Sequence, residues 1–220
     1  MAVCATLTSA KSLTVLRQPC PGCLRGAVSI LTASASPTAS SSNPPSIGKG
    51  LVVTSTENVD SAIPEQDLDF LRLAINLSHQ VKAEGRHPFG AVVVDEHGTV
   101  VSSKGNNSMP PEGDPTQHAE LRAAAEAFRQ LSPDQLERAT LYTSAEPCAM
   151  CAGAVYWTGI GRVVYGLSEE SLLGITGNNP ENPTLSLPCR EVFSRGQRHI
   201  SVVGPLLEDE AAAPHRDFWK

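Results

Sequence analysis

Two short segments of the 220-residue chain carry side chains suited to binding a metal ion. One is His118-Ala119-Glu120 at the start of a predicted helix, and the other is Glu146-Pro147-Cys148-Ala149-Met150-Cys151, where a predicted strand gives way to a helix. Because Cys148 and Cys151 are three residues apart, a helix places their sulfur atoms on one face, and its N-terminal end favours thiolates. Two thiolates and one imidazole bind Zn²⁺ with a fourth position open to water, as in catalytic zinc sites.

Glu120 stands two residues after His118, which is about 200° around a helix. The two side chains converge only if the metal lies near the end of the helix axis, where the long Glu120 side chain turns back toward the bound water. Zinc deaminases combine an H-x-E segment with a P-C-x-x-C segment, and their glutamate moves protons without binding the metal. A C-x-x-C pair alone is often structural. The two segments together predict a catalytic zinc site.

Alternating helices and strands must position these segments. Asp114, Pro115 and Gln117 fit the N-cap, first position and capping box of a helix that continues to residue 130. A β-hairpin early in the chain and a later β-α alternation predict an α/β fold with a mixed sheet. The predicted helices are 67–84, 114–130, 148–158, 169–173, 190–195 and 208–219, and the predicted strands are 90–95, 99–103, 139–144, 162–166 and 200–203.

Composition excludes several classes of protein. A hydrophobic content of 40% is enough for the core of one domain. The 17 basic and 23 acidic residues give a net charge of −6, which argues against a general nucleic-acid binder. No run of eighteen apolar residues occurs, so no membrane span is expected. Six cysteines do not make a disulfide-rich scaffold, and Cys189 is expected to be buried in the core.

The first 60 residues differ from the rest in composition. They are rich in Ser, Thr and Ala, contain four basic residues, and have no acidic residue before Glu57. This composition predicts a disordered tail that acts as a transit peptide to a plastid or mitochondrion. An untargeted tail on a cytoplasmic protein is the alternative. Cys4 and the pair Cys20 and Cys23 lie in this tail, and no functional site is predicted there.

With these motifs in place, the chain resembles the cytidine deaminase-like superfamily. It is most similar to the branch that holds guanine and nucleoside deaminases together with tRNA adenosine deaminases. The resemblance implies a three-layer α/β/α sandwich around a mixed five-stranded sheet, a deaminase domain over residues 61–220, and a homodimer. It spans about residues 68–219 and is carried by residues 88–94, 105–107, 114–120, 141–148 and 150–157.

The resemblance also implies roles for individual residues. His118, Cys148 and Cys151 would bind zinc, and Glu120 would be the catalytic proton carrier. Four further residues are implied in substrate binding: Phe89 stacks near the base, Asn106 hydrogen-bonds the heterocycle, Ala119 adjoins it, and Trp157 forms a pocket wall.

Some aromatic side chains have two interpretations. Trp157 has the alternative of packing on an apolar helix. Phe218 and Trp219 either close a pocket, in the same chain or across a dimer, or pack in the core.

The implied activity is zinc-dependent hydrolytic deamination of a purine-type base or nucleoside as a small molecule. A tRNA-specific adenosine deaminase is the alternative, favoured by residues 160–166 and disfavoured by the acidic cluster Glu208-Asp209-Glu210. A non-catalytic zinc module is a third possibility, but such a relic is expected to lose Glu120. Residues 173–180 lack the acidic pair that guanine deaminases of this branch carry after the fourth strand, which argues against guanine as the substrate.

Overall fold

The computed structural model describes residues 63–219. The predicted N-terminal tail and its three cysteines lie outside the described residues. Within the described part no helix combines the length and the apolar character needed to cross a membrane.

A five-stranded mixed sheet forms the centre of the molecule, in the strand order β2-β1-β3-β4-β5. β1 runs antiparallel to both β2 and β3, whereas β3, β4 and β5 are mutually parallel. The predicted α/β class and mixed sheet are confirmed. The strands are β1 (Gly90–Val94), β2 (Val100–Gly105), β3 (Thr140–Ala145), β4 (Arg162–Leu167) and β5 (Ser201–Val203), and the helices are α1 (Glu65–Ala83), α2 (Ala119–Gln130), α3 (Pro133–Arg138), α4 (Ala149–Thr158), α5 (Glu169–Thr176), α6 (Cys189–Ser194) and α7 (Glu208–Ala212).

Helices cover both faces of the sheet, because successive strand residues point to opposite sides. Val93 belongs to a buried cluster with residues of α2, α4 and α6, whereas its neighbour Val92 packs with residues of α1, α5 and α7. β1 is therefore buried along its whole length. At Gly90 an added Cβ would collide with the backbone oxygen of Ala74, so glycine allows α1 to lie close against the sheet.

A half-buried ion pair between Arg162 and Asp67 connects α1 to the sheet. The Asp67 carboxylate accepts two hydrogen bonds from the Arg162 guanidinium, at 2.8 and 2.6 Å, and a third from the Tyr142 hydroxyl at 2.7 Å. The hydrogen bonds from Arg162 hold the pKa of Asp67 below its ordinary value. Burial raises the pKa of Tyr142, so its hydroxyl remains a donor at neutral pH.

The predicted start of α2 is wrong by four residues, since the N-cap is His118 and not Asp114. The Asp114 carboxylate caps a turn outside the helix, since it accepts the Thr116 N–H at 2.8 Å and the Gln117 side-chain amide at 2.8 Å. His118 is extended, with φ −66° and ψ 152°, and is itself the N-cap of α2. The hydrogen bonds of Asp114 therefore stabilise the loop that positions His118.

Two other element boundaries also differ from the prediction. Helix α3, which the periodicity did not reveal, begins with a capping box formed by Ser132 and Gln135. The C-terminal helix ends at Ala212 rather than at Trp219. Pro214 explains the early end, because a proline has no backbone N–H to donate to the carbonyl of Glu210 four residues earlier.

Candidate active site

The N-termini of α2 and α4 bring the three predicted metal ligands together. His118 and Cys148 are the N-caps of these helices, and neither side chain caps its own helix, so both remain available as ligands. Cys148 Sγ lies 3.7 Å from His118 Nδ1. Cys151, in the first turn of α4, completes a group whose three ligand atoms all lie within 4.8 Å of one another.

This group fits zinc. A tetrahedral ion with a Zn–S bond of about 2.3 Å and a Zn–N bond of about 2.05 Å sets sulfur and nitrogen about 3.6 Å apart, close to the Cys148–His118 spacing. Hydrogen bonding with Cys151 and with His118 lowers the pKa of Cys148 to about 4, against the opposing effect of burial. The contact with Cys148 and burial raise the pKa of Cys151. Zinc binds the deprotonated form of both thiols, so metal binding at this site is coupled to proton release.

Glu120 lies next to the predicted metal ligands, as expected if its side chain turns back toward the end of the helix axis. Its side chain is 4% exposed, and its Oε2 lies 3.6 Å from Cys151 Sγ. Burial raises the pKa of Glu120. A buried carboxyl group with a raised pKa next to a metal site is suited to carrying a proton between reacting atoms.

The ligand cluster opens into a cavity of about 490 Å³. This volume is within the ordinary range for small-molecule sites and leaves room for a purine base or a nucleoside. Its lining includes the glutamates Glu120, Glu146, Glu169 and Glu181, and no Lys or Arg among the described residues lines it. The walls therefore favour hydrogen-bond donors on a ligand and disfavour phosphate.

Asn106 lines this cavity with a fixed amide orientation. It is 2% exposed, and its Oδ1 accepts both the backbone N–H and the hydroxyl of Ser108, each at 2.7 Å. Because the oxygen is occupied twice, the Asn106 NH₂ group is the part left to donate to a ligand. The structure thus places the predicted Asn106 at the cavity as a donor.

A polar chain links Asn106 to the segment over the cavity. Ser108 Oγ lies 3.2 Å from His87 Nδ1, and since its hydroxyl hydrogen goes to Asn106, it accepts from the Nδ1–H of His87. His87 Nε2 faces Glu181 Oε2 at 3.4 Å, a contact that becomes an ion pair when the ring is protonated on both nitrogens. Burial lowers the pKa of His87, and Glu181 opposes this effect. Glu181 belongs to the segment that connects α5 and α6, and residues 180–185 of this segment line the cavity.

Phe89 lies in the cavity wall, supported from behind by the C-terminal residues. Its ring is 5.0 Å from that of His215 and 6.2 Å from that of Trp219. Trp219 and Phe218 also contact the His87 ring. Within one chain Phe218 and Trp219 pack behind Phe89 and do not line the cavity, and closure of a pocket across a dimer stays a prediction.

Glu146 joins three elements beneath the cavity. Its Oε2 accepts the backbone N–H of Glu169 at 3.2 Å, and its Oε1 accepts that of Cys189 at 3.0 Å. These donors belong to the first residues of α5 and α6, whose initial N–H groups have no partner within their own helices. Cys189 is fully buried, as expected from the sequence.

Two predicted substrate contacts are not made within the single chain. Trp157 is 77% exposed and does not line the chain's own cavity, so its expected place in a pocket wall stays a prediction. It follows Cys148 by nine residues, which places it about 13 Å along the helix axis and on the opposite face. The Ala119 side chain is fully buried in the core and does not line the cavity; contact through its backbone stays a prediction.

Several cavity residues were missed by sequence reasoning. Glu146 had a signal, because it immediately precedes Pro147 and Cys148. Glu169 also had one, since it follows a strand that ends at the same edge of the sheet as β3. His87, Ser108 and Glu181 lie in irregular segments, and no periodicity could have identified them. The absence of acids in residues 173–180 was no argument against guanine, because Glu181 follows directly and lines the cavity.

Comparisons with known proteins agree with this geometry. The family model of the cytidine and deoxycytidylate deaminase zinc-binding region matches residues 64–167, which contain all three ligands. A probable cytosine deaminase of Schizosaccharomyces pombe is 47% identical over 157 residues, which make up 71% of this chain and 94% of the relative. The chain belongs to the cytidine and deoxycytidylate deaminase family. The predicted superfamily and the predicted class of enzyme, a nucleobase or nucleoside deaminase, are confirmed.

Relatives occur in both branches that the motifs indicated. A tRNA-specific adenosine deaminase of Buchnera aphidicola is 31% identical over 158 residues, or 71% of this deaminase and 90% of the relative. A solved structure of guanine deaminase from Nitrosomonas europaea matches with a TM-score of 0.54 at 30% identity, covering 71% of this chain and 85% of its own. The fold is therefore shared across the branches, and the cavity must distinguish their substrates.

Proposed function

We propose that this deaminase removes an amino group by hydrolysis from a free purine-type nucleobase or its nucleoside, with zinc bound by His118, Cys148 and Cys151. The observation that carries the proposal is a single cavity that contains the cluster of His118, Cys148 and Cys151 together with the buried Glu120. Among the described residues, no lysine or arginine lines this cavity. Such a cavity suits a small uncharged heterocycle.

The reaction replaces the amino group of an amidine-like carbon by oxygen from water. Zinc, when bound, supplies Lewis acidity that lowers the pKa of a coordinated water from about 15.7 toward about 7. Glu120 accepts a proton from the attacking water and delivers it to the ring nitrogen. The amino group gains the second proton of the same water and leaves as ammonia, because the amide ion is a very poor leaving group. Asn106 donates to an acceptor on the base, and Phe89 stacks near it.

The charge of the cavity favours a free base or nucleoside over tRNA. Recognition of an RNA loop depends on Lys and Arg contacts to phosphate. The cavity wall instead carries four glutamates. tRNA adenosine deamination, which the Buchnera relative's name suggests, remains the alternative that the substrate test includes.

Cytosine is a second candidate substrate. The specific observation in its favour is the 47% identity to the S. pombe probable cytosine deaminase over nearly that relative's full length. A pyrimidine also fits a cavity of about 490 Å³, with space left over.

Ammonia release from the zinc-loaded protein tests the proposal. The panel consists of guanine, 2,6-diaminopurine, adenine and cytosine, the corresponding nucleosides, and a tRNA carrying adenosine at the anticodon wobble position. We expect turnover of a free purine base or its nucleoside and no gel shift of tRNA at moderate salt. Turnover of cytosine alone would select the second candidate, and turnover of tRNA alone would contradict the proposal.

We also propose a homodimer and organelle targeting. Trp157 supports an interface on its face of α4, because it remains 77% exposed although its ring contacts Tyr156. The composition of residues 1–60 supports their role as a transit peptide to a plastid or mitochondrion, ahead of a deaminase domain over 61–220. Light scattering and fluorescent fusions of residues 1–60 test these two proposals.

A further inference from the structure

Glu169 stands apart from the other glutamates of the cavity. Glu146 accepts two backbone N–H groups, Glu181 faces His87, and Glu120 lies against Cys151. The Glu169 carboxyl group lines the same cavity and has no hydrogen bond or ion pair among residues 63–219. It is therefore an acceptor that the fold leaves unused.

The backbone that carries Glu169 is firmly held. Its N–H donates to Glu146, and the preceding Ser168 caps α5 by accepting the Ser171 N–H at 3.2 Å. Ser168 in turn donates its own N–H and hydroxyl to Glu208 Oε1, at 3.2 and 2.9 Å. A side chain on such an anchored helix start presents its carboxyl group to the cavity from a defined position.

The surroundings of Glu169 favour a hydrogen-bond donor opposite it. Burial, together with the charges of Cys148, Glu146 and Glu120, raises the pKa of Glu169 to about 7. An N–H group from a ligand offsets both the burial and the repulsion, whereas a ligand without one leaves the carboxyl group unpaired. Amino-substituted nucleobases carry N–H groups on their rings in addition to the amine that is lost.

We infer that Glu169 is a specificity-determining residue of this active site, whose carboxylate accepts a hydrogen bond from a ring N–H of the substrate. Asn106 supplies the complementary donor, so Asn106 recognises one acceptor of the heterocycle and Glu169 recognises one N–H group. The inference rests on the proposed function. It goes further by stating that this deaminase selects bases whose ring N–H is free and discriminates against bases substituted at that nitrogen.

Kinetics with N-methylated bases test this inference. The substrates are guanine with 1-, 7- and 9-methylguanine, and cytosine with 1-methylcytosine, each compared in wild type, Glu169→Ala and Glu169→Gln. In wild type, methylation of the recognised nitrogen should lower kcat/KM about 30-fold or more. In Glu169→Ala the ratio between the free and the methylated base should fall to within about threefold. Glu169→Gln, which keeps a neutral acceptor, should be intermediate.

A matched control separates recognition from stability. Glu170, the next residue of α5, is exposed and does not line the cavity. Glu170→Gln changes the same charge one position away and should leave every ratio as in wild type. If Glu169→Ala slows free and methylated bases equally, or slows neither, the inference is overturned, because a structural role lowers both rates together.

Binding distinguishes this failure from failure of the proposed function. Isothermal titration with 8-azaguanine should show a Kd at least about tenfold weaker for Glu169→Ala than for wild type and Glu170→Gln. Binding that follows this order without ammonia release would overturn the proposed function and retain the inference. Equal binding by all three proteins would overturn the inference, and no binding of 8-azaguanine by wild type together with no turnover of any free base would overturn both.

Discussion

Replacing Glu146 by glutamine is expected to destabilise the protein although the side chain keeps its shape. Both carboxylate oxygens accept backbone N–H groups, from Glu169 at 3.2 Å in a part-buried hydrogen bond and from Cys189 at 3.0 Å in a buried one. A glutamine offers one oxygen and one NH₂ group, so one of the two N–H groups faces a donor. Loss of a hydrogen bond to a charged acceptor costs about 1.5–3 kcal/mol. We therefore expect Glu146→Gln to lower the free energy of unfolding by about 2 kcal/mol, and Glu146→Ala by about twice as much.

Urea unfolding followed by circular dichroism measures this difference. With a slope of about 2 kcal/mol/M, a loss of 2 kcal/mol lowers the midpoint by about 1 M urea. Glu170→Gln serves as control, because it removes an exposed carboxylate and should change stability by less than about 0.5 kcal/mol. A midpoint for Glu146→Gln equal to that of the control would refute the assignment of Glu146 as a double acceptor.

Three further predictions concern the ion pair, the cavity segment and the surface. Asp67→Asn should cost about 3 kcal/mol at pH 7, because it leaves Arg162 unpaired. Since Arg162 depresses the pKa of Asp67, this difference should persist above about pH 4 and shrink as the pH falls below it, and a pH-independent difference in urea titrations would contradict the assignment. Glu181→Ala should raise KM about threefold with kcat unchanged, since the contact with His87 holds residues 180–185; an unchanged KM would be evidence against that role. Trp157→Ala should shift light scattering from dimer to monomer without loss of fold, and a stable dimer would exclude this face as the interface.

The sequence predicted that His118, Cys148 and Cys151 come together, because the pattern that identifies them is local. Cys148 and Cys151 lie on one helix start, and His118 lies at another, so residue types and short spacings were sufficient. Their convergence required only that the two helices begin at the same edge of one sheet. The mixed sheet followed from a short hairpin and a β-α alternation.

The start of α2 was mispredicted because one pattern is compatible with two structures. Asp114, Pro115 and Gln117 satisfy the rules for a helix N-terminus, and the same side chains also stabilise a turn. The cavity wall was harder to predict, since His87, Ser108 and Glu181 meet only through tertiary structure. Trp157 was assigned by resemblance, and a count of helical turns from Cys148 would have placed it away from the ligands.

Metal content and turnover of Glu120→Ala, measured on the same sample, separate zinc binding from proton transfer. We expect about one zinc per chain by mass spectrometry in both wild type and variant, with turnover of the variant lower by at least about 100-fold. A zinc-loaded Glu120→Ala protein that releases ammonia at the wild-type rate would show that Glu120 does not carry the proton.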